Sequence, residues 1–165
     1  MKPRAEFVLT TAAIALALAI VAFVAMLHQW NVSQWPAGAL EALKWAPAAF
    51  FAALLGALGT TAWHRRALAR QRRWSPGGMT LRTLLLSYLA FPFLLGAWVA
   101  AVSAGDRIWA ASPAPVEDSL SWLPLTMLLF TVFAIVLGAV PAFILEYFVS
   151  RRYLRRQAAV TTGSA

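Results

Sequence analysis

Residues 63–73, WHRRALARQRR, form a dense basic segment between two long apolar runs. Short segments rich in lysine and arginine stay on the cytoplasmic side of a membrane, because they resist translocation. We therefore predict a basic cytoplasmic loop over residues 64–82. The position of this loop also sets the direction in which the apolar run on either side crosses the membrane.

The composition is that of a membrane protein. Of the 165 residues, 61% are hydrophobic and only 12% are charged, so there are too few polar residues to cover a soluble globule. The net charge of +8 is typical of nucleic-acid-binding proteins, but here the basic residues flank apolar runs, so we expect no nucleic-acid partner. The sequence contains no cysteine, which excludes disulfide scaffolds, Cys-ligated metal centres and thiol nucleophiles. We expect no cofactor.

Four apolar runs are long enough to cross about 30 Å of hydrocarbon as helices. They predict spans over residues 7–27, 46–63, 84–104 and 122–150, followed by a flexible tail over residues 158–165. The first run is longer than the hydrophobic region of a signal peptide, which has about 7 to 15 residues, so we expect it to be retained. The predicted fold class is an all-α integral membrane protein with four transmembrane helices.

The distribution of charge predicts the orientation. Twelve of the 14 lysine and arginine residues fall on one side of the four spans, and only Lys44 and Arg107 fall on the other. This asymmetry predicts that both termini are cytoplasmic. Arginine-rich, alanine-rich composition is typical of GC-rich bacterial genomes, so the predicted location is the bacterial cytoplasmic (inner) membrane, with several passes.

Small residues predict where helices approach closely, either within the chain or between chains. Two stripes have the required four-residue spacing: Ala48, Ala52, Gly56 and Thr60 in the second span, and Gly96 and Ala100 in the third. Between the first two spans, residues 36–45 (PAGALEALKW) favour a short interfacial helix, with an ordinary loop as the alternative. Residues 75–78 (SPGG) predict a turn that ends the basic loop.

The two halves of the chain match at corresponding places. Trp45-Ala46-Pro47 and Trp122-Leu123-Pro124 each open a span, and residues 65–71 (RRALARQ) match residues 151–157 (RRYLRRQ) at five of seven positions. A duplicated helical hairpin with both copies in the same orientation explains these matches. The alternative is that any two inward-going helices begin with interfacial tryptophans and end in arginines.

Basic clusters next to membrane helices attract anionic lipid, by about 1 kcal/mol per residue, and also suit an acidic partner. We therefore expect the arginines that end the second and fourth spans to contact anionic lipid or other membrane proteins. These residues are Arg65, Arg66, Arg70, Arg72, Arg73, Arg151, Arg152, Arg155 and Arg156.

Glu146 is the acidic residue closest to hydrocarbon, and an acid within a span is a candidate for proton or cation handling. It follows Trp122 by 24 residues, about 36 Å along a straight helix. We therefore predict that it lies in the inner headgroup layer as an ion pair or helix cap, with a transport role as the alternative. Tyr88, shortly before Pro92, is the second transport-related candidate; alternatively it satisfies backbone groups that the proline frees.

Other chemistry finds little support in the sequence. His28 and His64 lie at opposite ends of adjacent spans, about 30 Å apart, too far for shared haem ligation. We interpret His64 as part of the basic cytoplasmic cluster. Asp106 and Asp118 fall on the predicted outer side, where a membrane hydrolase would need its acids, but the sequence has no GxSxG, HExxH or phosphate-binding glycine motif.

The sequence thus favours a non-enzymatic inner-membrane protein. We expect an accessory or scaffold subunit of a membrane complex, which contacts partners through its helix faces and its basic segments. A small transporter or channel subunit that acts as an oligomer, using Pro92, Pro141 and Glu146, is the alternative. A hydrolase on the outer face is the second alternative.

Overall fold

The computed structural model describes residues 3–27, 35–109 and 121–162. Every regular element in these ranges is an α-helix: α1 (Pro3–Leu27), α2 (Trp35–Trp45), α3 (Pro47–Ala69), α4 (Pro76–Trp109) and α5 (Leu123–Thr162). Helices α1, α4 and α5 are each long and apolar enough to cross a membrane. Helices α2 and α3 qualify together as a fourth span, with a bend of 48° between them. The described chain is therefore all-helical, with three candidate membrane-spanning helices, or up to four.

The four long helices, α1, α3, α4 and α5, alternate in direction. Each end of the bundle therefore contains the N-termini of two helices and the C-termini of the other two. At one end the start of α1 meets the end of α3, where Arg4 Nε donates to Thr61 Oγ1 over 3.2 Å. The start of α1 also meets the end of α5, where Arg152 pairs with Glu6 at 2.8 Å. We call this the arginine end. We call the opposite end, where Trp45 and Trp98 lie, the tryptophan end. There Trp98 Nε1 donates over 2.7 Å to the carbonyl oxygen of Lys44.

The first small-residue stripe is confirmed as a packing face. All of its members are buried. At Gly56, an added Cβ would collide with Ser87 Oγ and lie 2.9 Å from the carbonyl oxygen of Thr83, so α3 and α4 approach almost to backbone contact. In the second stripe, Gly96 packs against Met127 of α5, whereas Ala100 is exposed.

Most of the predicted basic loop over residues 64–82 is helical. Helix α3 continues to Ala69, and only residues 70–75 connect it to α4. The helix ends in a Schellman motif: the Arg72 N–H donates to the Ala67 carbonyl, the Gln71 N–H donates to the Leu68 carbonyl, and both distances are 2.9 Å. Gln71 has the left-handed φ of 56° that this motif requires. Arginine is a good helix former, which is why a basic sequence continues the helix.

The predicted turn at residues 75–78 is wrong, because Ser75 caps α4 and residues 76–78 begin it. Ser75 Oγ accepts a hydrogen bond from the Gly78 N–H over 3.1 Å, as a helix N-cap does. Pro76 takes the first helical position, where the missing N–H costs nothing. The same residue types that end a helix thus start one here.

The remaining differences concern element lengths. The short helix predicted over residues 36–45 is confirmed as α2. Helix α5 continues past the predicted end at Ser150 to Thr162, and so includes the first part of the segment that we expected to be a flexible tail. Within the suggested repeat, residues 65–71 end a helix, whereas residues 151–157 lie inside one, so the duplication remains a hypothesis.

Candidate functional site

An elongated apolar cavity of about 360 Å³ lies between the helices. It extends from Thr11 and Glu146, towards the arginine end, to Phe23 and Trp45, towards the tryptophan end. That is about 18 Å along α1. All five helices contribute to its wall, and alanines of α1 and α3 leave much of the space. Binding pockets for small molecules are commonly about 300–1,000 Å³ and mostly apolar, with a few placed polar groups.

Glu146 provides the carboxyl group in this wall. Its side chain is only 2% exposed, and its Oε1 accepts a hydrogen bond from Thr11 Oγ1 over 3.1 Å. The ion pair that we predicted for Glu146 is not found among the described residues, where Arg152 pairs with Glu6 instead. The reason is helical geometry: Arg151 and Arg152 lie five and six residues farther along α5 and project from other sides of the helix. The placement of Glu146 in the headgroup layer stays a prediction.

Tyr88 lines the same cavity from α4. Its hydroxyl oxygen lies 3.5 Å from the carbonyl oxygen of Ala134 on α5. Its neighbour Ser87 donates to the Thr83 carbonyl over 2.8 Å. Neither hydroxyl reaches the carbonyl of Tyr88, which is the group that Pro92 deprives of an amide donor. The structure thus brings both transport-related candidates, Glu146 and Tyr88, to one cavity.

His64 lies in the core of the arginine end, next to the basic cluster to which we assigned it from the sequence. Its side chain is 2% exposed. The imidazole packs against Trp74 and Tyr153, with ring centroids 5.2 and 5.8 Å away. The cause is its position one helical turn after Thr60, on the same buried face of α3. Phe7 closes this core from α1, 4.9 Å from Tyr153.

The nine candidate contact arginines all lie at the arginine end, and all are exposed. Two of them are engaged within the chain, because both Arg152 and Arg156 pair with Glu6. The other seven are Arg65, Arg66, Arg70, Arg72, Arg73, Arg151 and Arg155. This end therefore presents a broad positive surface, which we call the arginine surface.

Sequence reasoning missed two residues that hold these sites together. Thr11 bonds the buried carboxyl of Glu146, and the only signal was the pair Thr10 and Thr11 inside an otherwise apolar run. Glu6 joins α1 to α5, and the signal was one acid within a basic terminus. Neither signal identifies its partner, because both contacts join residues more than a hundred positions apart.

Three residues considered for metal or hydrolase chemistry have side chains outside the described part of the structure. His28 and Asp118 lie outside the described residues, and Asp106 belongs to α4 with a side chain outside the described set. Within the described ranges, no group of three or more histidine, aspartate or glutamate side chains is placed to hold a metal ion.

Comparison with known proteins gives no relative for this chain. No protein-family model matches the sequence, and no curated protein or solved structure matches it. Its function must therefore follow from its own geometry, namely the apolar cavity, the buried carboxyl and the arginine surface.

Proposed function

We propose that this chain is a small membrane transport protein, acting as an oligomer, whose substrate is an apolar molecule with a positively charged or hydrogen-bond-donating group. The observation that supports this proposal is the Glu146 carboxyl, buried in the wall of an otherwise apolar cavity. A buried acid in a membrane helix costs free energy, and such acids typically serve ions, protons or charged ligands. Glu146 would act as the counter-ion of the substrate.

The shape of the cavity suggests how such a substrate would lie. Its polar side chains are Thr11, Glu146, Ser87 and Tyr88, towards the arginine end and the middle of the bundle, and Thr126 nearer the tryptophan end. Towards the tryptophan end the wall is formed by side chains such as Phe23. An elongated amphiphilic molecule would therefore place its polar group near Glu146 and its apolar body along the cavity.

We further propose that the protein has four spans, lies in a bacterial inner membrane, and has its arginine end in the cytoplasm. The close contact between α3 and α4 at Gly56 supports four spans, because a helix packed along a spanning helix shares its depth. The charge asymmetry of the sequence supports the orientation.

Binding of tetraphenylphosphonium, an apolar cation, to the purified chain in lipid nanodiscs tests this function. We expect saturable binding that Glu146→Gln weakens by about tenfold or more, equivalent to ~1.4 kcal/mol. The matched control is Glu6→Gln, which neutralises a carboxylate at the same end but outside the cavity. It should change the affinity by less than about twofold. Equal binding by wild type and Glu146→Gln, or no saturable binding by wild type, would overturn the proposal.

The arginine surface favours a second candidate function, that of an accessory or scaffold subunit. Seven exposed arginines at one end suit anionic lipid headgroups or an acidic membrane partner. Purification of the tagged protein in mild detergent at low and high salt tests this role. A defined partner should be lost at high salt and also lost when Arg70, Arg72 and Arg73 are replaced by glutamine. A partner that survives both changes would contradict docking on this surface.

A further inference from the structure

Three buried polar atoms at the arginine end have no hydrogen-bond partner within the described chain: Thr60 Oγ1, His64 Nδ1 and Ser150 Oγ. The three side chains are at most 2% exposed. Buried polar atoms are paired in about 90% or more of cases, by protein groups or by ordered water. Three such atoms in one region therefore point to a group that bridges them.

A hydroxyl in a helix can usually bond to the backbone of its own helix, but those of Thr60 and Ser150 do not. A serine or threonine in a helix can donate to a carbonyl three or four residues earlier. Among the described residues, six hydroxyls do so: those of Thr61, Thr80, Thr83, Ser87, Thr126 and Thr131. Thr60 and Ser150 instead leave their oxygens unpaired, which means that they are available to a neighbour between the helices.

The three side chains belong to one buried face of α3 and one of α5. Thr60 and His64 are one turn apart on α3. Glu146 and Ser150 are one turn apart on α5, and Tyr153 continues the same face. Helices α3 and α5 reach each other across the bundle at the His64 and Tyr153 rings, whose centroids are 5.8 Å apart. The unpaired atoms therefore lie between the cavity carboxyl and the outer margin of the arginine end.

We propose that bridging water joins Thr60, His64 and Ser150, and that this water carries protons between Glu146 and the solvent at the arginine end. A proton leaves the Glu146 carboxyl, passes the Ser150 hydroxyl and the bridging water, and is accepted by His64 Nδ1. The imidazole then releases a proton from Nε2 to solvent. The carboxylate regains a proton by the reverse sequence, so no other reactant is consumed.

The ionisable groups near His64 are mostly cations, which favour release to solvent of the proton that the imidazole accepts. Tyr153 contacts the His64 ring, and Arg82 stacks on Trp74 beside it. Arg65 is the next residue of α3, and Arg4 of α1 bonds to Thr61. At the Glu146 end, Thr11 donates to the carboxyl, and the ionisable Tyr88 lines the same cavity. Of the carboxyl side chains that the structure describes, Glu6 is engaged by two arginines and Glu146 lines the cavity. Glu146 is therefore the carboxyl group that the path serves.

Infrared spectroscopy of the full chain in lipid tests the path without a substrate, so its result is independent of the transport proposal. The carbonyl stretching band of the protonated Glu146 carboxyl is identified by its loss in Glu146→Gln. After transfer into D₂O, the shift of this band reports proton exchange. We expect rapid exchange in the wild type. In His64→Gln and Ser150→Ala the exchange should be at least about tenfold slower, since each substitution removes one proton carrier.

Three further variants serve as controls or substitutes in this test. Thr83→Val removes a buried hydroxyl that is already bonded to the Met79 carbonyl, so the exchange rate should stay at the wild-type value. Ser150→Thr keeps a hydroxyl and should exchange as the wild type does. If Ser150→Ala does not fold, Thr60→Val takes its place. Equal rates in all variants, or the lack of a Glu146 acid band at every pH at which the protein is folded, would overturn the proposal.

Discussion

At the scale of single residues, the contact between Thr11 and Glu146 gives the first prediction. The Thr11 hydroxyl donates to a carboxyl group that is otherwise surrounded by apolar side chains. Loss of a donor to a buried charged or polar group costs about 1–3 kcal/mol. We expect Thr11→Val to lower the free energy of unfolding by about this amount, as measured by denaturant titration in detergent.

Thr10→Val is the matched control for this change. Thr10 is the adjacent residue of the same type, but its side chain is exposed. We expect its replacement to change stability by less than about 0.5 kcal/mol. Equal effects of the two substitutions would show that the hydrogen bond to Glu146 does not stabilise the bundle.

The residue scale is also where prediction from sequence failed most. The types of the important residues were visible, since Glu146, Tyr88 and His64 all stood out as polar groups in or near spans. Their positions were not, because distance along one helix says nothing about which side faces a neighbour. Glu146 lies close in sequence to arginines and yet faces Thr11 of another helix. Such partners become known only when the helices are assembled.

At the scale of helices, the contact at Gly56 gives the second prediction. A Cβ there would meet Ser87 Oγ and the backbone of α4, which cannot yield cheaply. We expect Gly56→Ala to lower the free energy of unfolding by about 1–3 kcal/mol, as overpacking does. At Gly59 a Cβ would meet only Leu86 Cδ1, at 3.2 Å, and this side chain can move.

Gly59→Ala is therefore the control for the helix contact. Alanine is favoured over glycine within a helix by about 1 kcal/mol, so this variant should be as stable as the wild type or slightly more stable. Thermal unfolding of both variants in the same detergent measures the difference. A Gly56→Ala protein as stable as Gly59→Ala would mean that α3 and α4 do not pack as closely as this contact requires.

Helices were predictable as elements, but several of their ends were not. Long apolar runs and the stripe around Gly56 follow from composition and spacing, which the sequence shows directly. The end of α3 depends on a left-handed Gln71, and the start of α4 depends on the cap by Ser75. The left-handed residue that ends a helix is usually glycine, but here it is Gln71. Proline and paired glycines usually end a helix, but here they begin α4.

At the scale of the whole molecule, the bundle is closed at one end and open along its middle. Large side chains such as Phe7, Met79 and Tyr153 fill the arginine end. Alanines of α1 and α3 leave the cavity farther along. The cavity results from the absence of side-chain volume on several helices at once, so no single stretch of sequence predicts it. A closed end that contains Glu146 and an open body suit access to the cavity mainly from the far side.

The number of spans and their orientation give the last prediction. The sequence has no cysteine, so single cysteines can report which side of the membrane each position occupies. Exposed positions are available at the starts and ends of helices, at Ala5, Arg73, Ser121 and Arg155. With four spans and cytoplasmic termini, a maleimide that cannot cross the membrane should label Ser121→Cys in intact cells. It should label the other three only after the membrane is opened. If α2 and α3 do not cross, Ala5→Cys and Arg73→Cys would lie on opposite sides. That result would reject the four-span proposal, while labelling of Ala5, Arg73 and Arg155 from outside would keep four spans and reverse the orientation.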